Sequence, residues 1–167
     1  MTDQTPVTLE RHYRAPLAQL WALWTTAQGI ESWWGPPGFV VKVQEMTLRP
    51  GGLLRYTMTA QAPEMVAFMQ ANDMPTATPC QAVYDSITPP GPDATTPARL
   101  CYRNLVDFVP GHAPYHTRMQ ADFLPQGNAT ILRLTFDQMQ DAVWSERQRM
   151  GWDQELGKLA AALGQKA

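Results

Sequence analysis

Three histidines, two cysteines and a few charged residues set among tyrosines carry whatever chemistry this chain performs. His12 alternates with Thr8 and Glu10 in a period-two stretch, which places it on a solvated strand face. His112 sits in a Pro/Gly turn, and His116 shares a strand face with Arg118 and Asp122. Histidine titrates near neutrality wherever it stands, so that property alone nominates none of the three, and no catalytic residue is assigned. No Gly-x-Ser-x-Gly, His-Glu-x-x-His or phosphate-binding glycine loop is present. Cys80 and Cys101 lack the spacing of a metal site, so no metal and no cofactor are expected. With no export signal, both cysteines are expected as reduced thiols. If their hairpin centres near Asp93, Cys101 falls opposite Tyr84 or Asp85, not Cys80.

The other chemistry open to this composition is binding. Nine Met and six Trp are unusual numbers for the length. Both side chains are large, and Met adapts its shape, so together they suit an interior that lines a cavity. The candidate lining is Trp33, Trp34, Tyr56, Met58, Tyr84, Tyr102, Phe108, Met119, Phe123 and Trp152. The plainer alternative is that these residues are solid core. Any tyrosine hydroxyl buried there would orient the polar end of a ligand, because a buried hydroxyl needs a partner. Arg103, Asp107 and Asp122 are further polar candidates, with the direction of their side chains open. Arg49 could hold an anion; the favoured reading is structural, a pairing with a carboxylate near its turn.

Composition bounds the frame for such a site. The 167 residues suit one domain spanning 1–167, with 44% hydrophobic and 17% charged residues, as in globular chains. No run approaches the roughly 18 apolar residues of a membrane span. The polar start, Met1 to Pro6, has no signal-peptide core, so the expected location is cytoplasmic. A net charge of −2 and a pI near 5.9 give no reason to expect nucleic acid or an acidic membrane as partner.

The elements follow from periodicity. Val7 to Tyr13 alternates as a strand, with Arg11 snorkelling or near a sheet end. Pro16 opens a helix whose Leu17, Leu20, Trp21 and Trp24 form one apolar stripe, and Gly29 interrupts it. A second short helix is expected over Ile30 to Trp34. Strands are expected over Val40 to Thr47 and Leu53 to Thr59 around a Pro50-Gly51-Gly52 turn. Pro63 to Ala71 reads as a short inserted helix. Further strands are expected over Ala82 to Ile87, Arg99 to Val109, Tyr115 to Leu124 and Ala129 to Phe136. Ser145 to Gln148 has the capping-box pattern, and a helix follows to Leu163 with Trp152, Leu156 and Leu159 on one face and Gly164 as its cap.

Four pieces stand in order along nearly the whole chain: Ala15-Pro16-Leu17-Ala18-Gln19-Leu20-Trp21, Trp33-Trp34-Gly35-Pro36, Arg49-Pro50-Gly51-Gly52, and Gly151-Trp152 followed by Leu156 and Leu159. With them the sequence resembles the START-like, birch-allergen-type (SRPBCC) superfamily, and within it the branch named after activators of the heat-shock chaperone ATPase. The resemblance implies an α+β helix-grip fold. A curved antiparallel sheet of about six to seven strands would wrap a long C-terminal helix, with two short helices after the first strand and an inserted helix near 63–71. It also implies a pocket for a small hydrophobic molecule, with cyclase-like acid–base chemistry among the superfamily's activities. The branch name implies a rival: a chaperone co-factor or protein-interaction module without a ligand. The extra N-terminal domain of the eukaryotic activators has no counterpart here, which weighs against that rival. A homodimer is also open.

Two departures stand out. Thr47 occupies a position usually acidic in the family, two before Arg49, and Glu45 is the residue that could replace its charge. The segment Pro63 to Pro79 resembles an insertion in a subgroup of uncharacterised bacterial proteins that also carry Asp107-Phe108-Val109-Pro110-Gly111 and Pro114-Tyr115.

Overall fold

The Val7–Tyr13 alternation does form a strand, β1, and the chain leaves it through two short helices, α1 (Leu17–Thr25) and α2 (Ala27–Glu31). The computed structural model describes residues 4–165. The hairpin β2 (Phe39–Met46) and β3 (Leu53–Ala60) follows, then α3 (Pro63–Ala71) and four strands: β4 (Ala77–Thr88), β5 (Ala98–Val106), β6 (Tyr115–Gln126) and β7 (Ala129–Phe136). Helix α4 (Ala142–Ala162) ends the order. The strands form one antiparallel, curved sheet in the order β1-β7-β6-β5-β4-β3-β2, and α4 lies in its grip. This is the helix-grip, α+β architecture that the sequence implied.

Inner and outer faces separate as a period-two sheet requires. Leu54, Tyr84, Leu100, Tyr102, Met119, Ala121, Phe123, Leu132, Leu134 and Phe136 are buried in one cluster with α1, α2 and α4. The outer face carries the charges. Arg55 pairs with Glu45, Arg99 with Asp122, Arg103 with Asp85, Arg118 with Asp137 and Arg133 with Glu10.

Local chemistry moved several boundaries. Helix α4 starts at Ala142 instead of Ser145, because the Asp141 carboxylate accepts from the Trp144 amide at 3.0 Å and caps it earlier. Ser145 is buried inside the helix, and its hydroxyl donates to the Met139 carbonyl. At the other end Gly164 takes φ +75° and closes the helix as expected. Helix α2 covers Ala27–Glu31, not Ile30 to Trp34, because Thr26 Oγ1 caps the Gly29 amide. Gly29 therefore lies within a helix. A Cβ there would come 2.5 Å from the Ala22 carbonyl oxygen, so glycine permits the close approach of α2 to α1. Strand β4 begins at Ala77, five residues before the expected start, and contains Pro79 opposite Thr57. The β4–β5 ladder runs only from Ala82, so Pro79 occupies a one-sided stretch where a missing N–H costs no second ladder bond. Strand β5 ends at Val106, short of the expected Val109.

Candidate functional site

The glycine pair of the Arg49-Pro50-Gly51-Gly52 motif sets the backbone of one candidate residue. Gly51 takes φ +82°, and a Cβ on Gly52 would lie 1.9 Å from the Thr47 carbonyl oxygen. Only glycine tolerates both demands. The turn so formed donates from the Gly51 amide to the Tyr84 carbonyl at 2.7 Å, and the Gly52 carbonyl accepts from the Tyr84 amide at 2.9 Å. Arg49 itself is exposed, and among the described residues no carboxylate pairs with it. The motif thus acts through its backbone. Glu45 does not replace the missing acid at Thr47, since Arg55 holds it.

Tyr84 stands directly across from Tyr102, and their rings lie 5.2 Å apart. Both are fully buried. Neither hydroxyl has a hydrogen-bond partner among the described residues. Burial pushes both phenols well up, and the nearby Tyr84 and Tyr56 hydroxyls add to the rise at Tyr102. One strand over, Tyr56 faces Cys80 across the β3–β4 ladder. Burial raises Tyr56, and the neighbouring Cys80 thiol and Glu155 carboxyl act the same way. Cys80 is pushed up to about 11, again by burial, and so stays an unreactive thiol near neutrality.

Glu155 comes to this group from α4 and was not a sequence candidate. Its Oε1 accepts from the Gly35 amide at 2.7 Å. Burial holds its carboxyl up at about 7, although the Gly35 amide and the Lys158 ammonium pull the other way. Lys158, one turn on, donates to the Gly35 carbonyl at 2.8 Å and to the Trp34 carbonyl at 3.4 Å. The two side chains clasp one peptide unit from both sides and fix the Trp33-Trp34 turn onto α4. A glutamate on the buried stripe of a helix is the sequence signal that could have found it: Glu155 lies three residues from Trp152 and four from Leu159.

The tryptophans close the other end of the interior. Trp24 packs on Trp33 and Trp34 with centroids 4.8 and 5.3 Å apart, on Phe123 at 5.6 Å and on Trp152 at 6.4 Å. Trp34 reaches Tyr56 at 6.1 Å and Trp152 at 5.3 Å. Trp33, Trp34, Phe123 and Trp152 are therefore interlocked core at this end, while Tyr56 and Met58 pack partly buried against it and Met119 lies within it. The Trp24 indole Nε1 and the Gln148 Oε1 are two more buried atoms without a partner among the described residues.

The remaining candidates lie elsewhere. Phe108 is 40% exposed and packs on Trp144, away from the tyrosines. Arg103, Asp107 and His116 are exposed. Asp122 is buried on the outer face, where it accepts from Arg99 and Gln120. None of these enters the interior. His12 lies 3.6 Å from Glu10, and His112 contacts Gln140, both at the surface. Cys101 stands opposite Ser86, one residue beyond the expected register because β4 bulges at Asp85, and both cysteines are free thiols. Two open depressions of about 230 and 280 Å³ lie beside Cys101, Gln120 and Asp137, and along the β1–α4 seam at Arg11, Tyr13 and Gly157. Among the described residues no three metal-ligating side chains gather, and no helix is long and apolar enough to cross a membrane.

Comparison with known proteins agrees with this architecture. The family model described as activator of Hsp90 ATPase homolog 1-like protein matches residues 14–164. A crystal structure of a protein from Chromobacterium violaceum is similar at TM-score 0.73 and 22% identity, covering 94% of this chain and 95% of that one. One from Nitrosomonas europaea is similar at TM-score 0.69 and 17% identity, covering 98% and 97%. The AHSA1 protein from Silicibacter pomeroyi is similar at TM-score 0.63 and 18% identity, covering 95% and 97%. At these identities the likeness speaks to fold. No curated protein matches.

Proposed function

We propose, from the premise that the chain belongs to the activator of Hsp90 ATPase homolog 1-like family of START-like domains, that it binds a small, largely apolar ligand. The ligand would sit between the sheet and α4, within a single domain spanning 1–167, and the protein would work in the cytoplasm. The observation that carries this reading is the Tyr84–Tyr102 pair. Their rings lie 5.2 Å apart on the inner face, and both hydroxyls are buried without partners among the described residues. A buried hydroxyl left unpaired costs about 1–3 kcal/mol, and a ligand oxygen would recover that loss at both. Met58 and Met119 are the adaptable side chains that would give way to the ligand's apolar body.

Glu155 adds acid–base capacity to the same reading. A carboxyl that keeps its proton up to about pH 7 is matched to proton transfer near neutrality, as cyclase-like chemistry on a carbonyl compound requires. An apolar fluorophore such as N-phenyl-1-naphthylamine is expected to bind one-to-one with micromolar affinity, about −8 kcal/mol. Trp152→Ala should change that binding, whereas Val143→Ala, on the exposed side of α4, should not. Absence of any saturable binding would reject the ligand reading.

One observation favours the rival, a protein-interaction module of the chaperone co-factor type. Phe108 packs on Trp144 while 40% exposed, and Val143 and Met150, seven residues apart and so on one face of α4, are exposed apolar residues. Exposed apolar residues of this kind suit a partner protein or a second copy of the chain. A complex with an Hsp90-type ATPase that is lost in Val143→Asp, together with no ligand binding, would favour it.

A further inference from the structure

The geometry points to a charge preference in this site: it takes neutral, oxygen-bearing molecules such as ketones, aldehydes or esters on an apolar body, and rejects carboxylates of the same body. The inference rests on the interior-ligand reading above.

Arg55, Arg99, Arg103, Arg118 and Arg133 all emerge on the outer face of the sheet, each on a carboxylate. Arg11 pairs with Asp153 at the β1–α4 seam. Lys158 approaches the interior, but its ammonium is held by the Trp34 and Gly35 carbonyls. The charge that does face the interior is acidic: Glu155, next to Tyr56 and Cys80.

A carboxylate buried beside the Tyr84–Tyr102 pair would therefore have no counter-ion among the described residues. Burying an ion without a partner costs far more than burying a neutral polar group. What the interior does offer is the Tyr84 and Tyr102 hydroxyls, each with a hydrogen to donate and no acceptor among the described residues. A carbonyl oxygen accepts hydrogen bonds and needs no counter-charge, so it suits hydroxyls that have no acceptor of their own. Their burial disfavours ionised phenolates, which keeps the two hydroxyls in their donating form throughout the neutral range.

The test uses matched probes, 2-octanone and octanoate, each displacing N-phenyl-1-naphthylamine at pH 8. The proteins are the wild type, Tyr84→Phe, Tyr102→Phe and the double variant, with thermal melts to confirm that each is folded. Octanone is expected to displace the fluorophore at least ten-fold better than octanoate from the wild type. The double variant should lose at least ten-fold in octanone affinity, corrected for its own directly titrated fluorophore affinity; each single variant should fall between. Equal displacement by octanoate and octanone, or unchanged octanone affinity in both single variants and the double variant, overturns the charge preference while leaving interior binding intact. Failure of the wild type to bind the fluorophore overturns the interior-ligand reading itself, and this inference with it.

Discussion

Glu155 and Gly35, 120 positions apart in sequence, meet through a 2.7 Å hydrogen bond from the Gly35 amide to Glu155 Oε1. The bond links the Trp33-Trp34 turn to the middle of α4, and Lys158 completes it by holding the Gly35 carbonyl. A carboxyl thereby lies inside the protein at the joint between its helix and its aromatic core.

That placement sets a pH dependence. Burial lifts Glu155 from its ordinary 4.5 to about 7, so between those values the folded chain holds a proton that the unfolded chain has released. Stability from this group is therefore full below about pH 4.5 and falls as pH rises towards 7, by up to roughly 3 kcal/mol. The groups facing it are Lys158 on its own helix, Tyr56 on β3 and Cys80 on β4. Denaturant unfolding of wild type and Glu155→Gln across pH 4.5–8 should show the two curves separating, with the variant gaining relative to wild type as pH rises. Parallel curves would show that Glu155 does not titrate in this range.

The Gly52 turn predicts a backbone effect without loss of any side-chain contact. Gly52→Ala must move the Thr47 carbonyl away from a Cβ at 1.9 Å and disturb the bonds to Tyr84. A loss of at least about 1 kcal/mol is expected, because the native geometry excludes the new methyl. Gly51→Ala should also destabilise, through its positive φ, although its Cβ would meet nothing within 4 Å. Urea midpoints for both variants check this.

Leu156 is buried on α4, and its carbonyl accepts from the Tyr13 hydroxyl at 2.9 Å. Leu156→Ala keeps that bond and leaves a cavity, for an expected cost of about 2–5 kcal/mol in chemical denaturation. A cost below 1 kcal/mol would mean that the helix is not seated on the sheet as described.

Much of the fold was legible because it rests on repeating patterns. The alternations over Val7–Tyr13 and Tyr115–Leu124, the glycine turn at 51–52 and the Trp152, Leu156, Leu159 stripe each specify an element and a buried face. The starts of α2, α4 and β4 were not legible. Thr26 and Asp141 compete as caps with the pattern downstream, and Pro79 is tolerable only because one flank of β4 lacks a partner there. The site was half legible. Tyr56, Tyr84 and Tyr102 could be named as inward aromatics, but Glu155 was masked by the expectation that a helical glutamate faces water. Phe108 fitted the composition of a lining and stands instead against Trp144, because the chain leaves β5 at Val106 before reaching it.

Methionine methyls would sense a small apolar molecule entering between the tyrosine face and α4. Met119 is buried beside Tyr102, Met58 lies partly buried on the same inner face, and Met150 is half exposed on the outer side of α4. In a ¹³C-methyl methionine NMR titration with N-phenyl-1-naphthylamine, the Met58 and Met119 signals are predicted to shift together and saturate at one equivalent while Met150 stays in place. A shift at Met150 with Met58 and Met119 unmoved would rule out interior binding and put the binding surface on the outside of the helix.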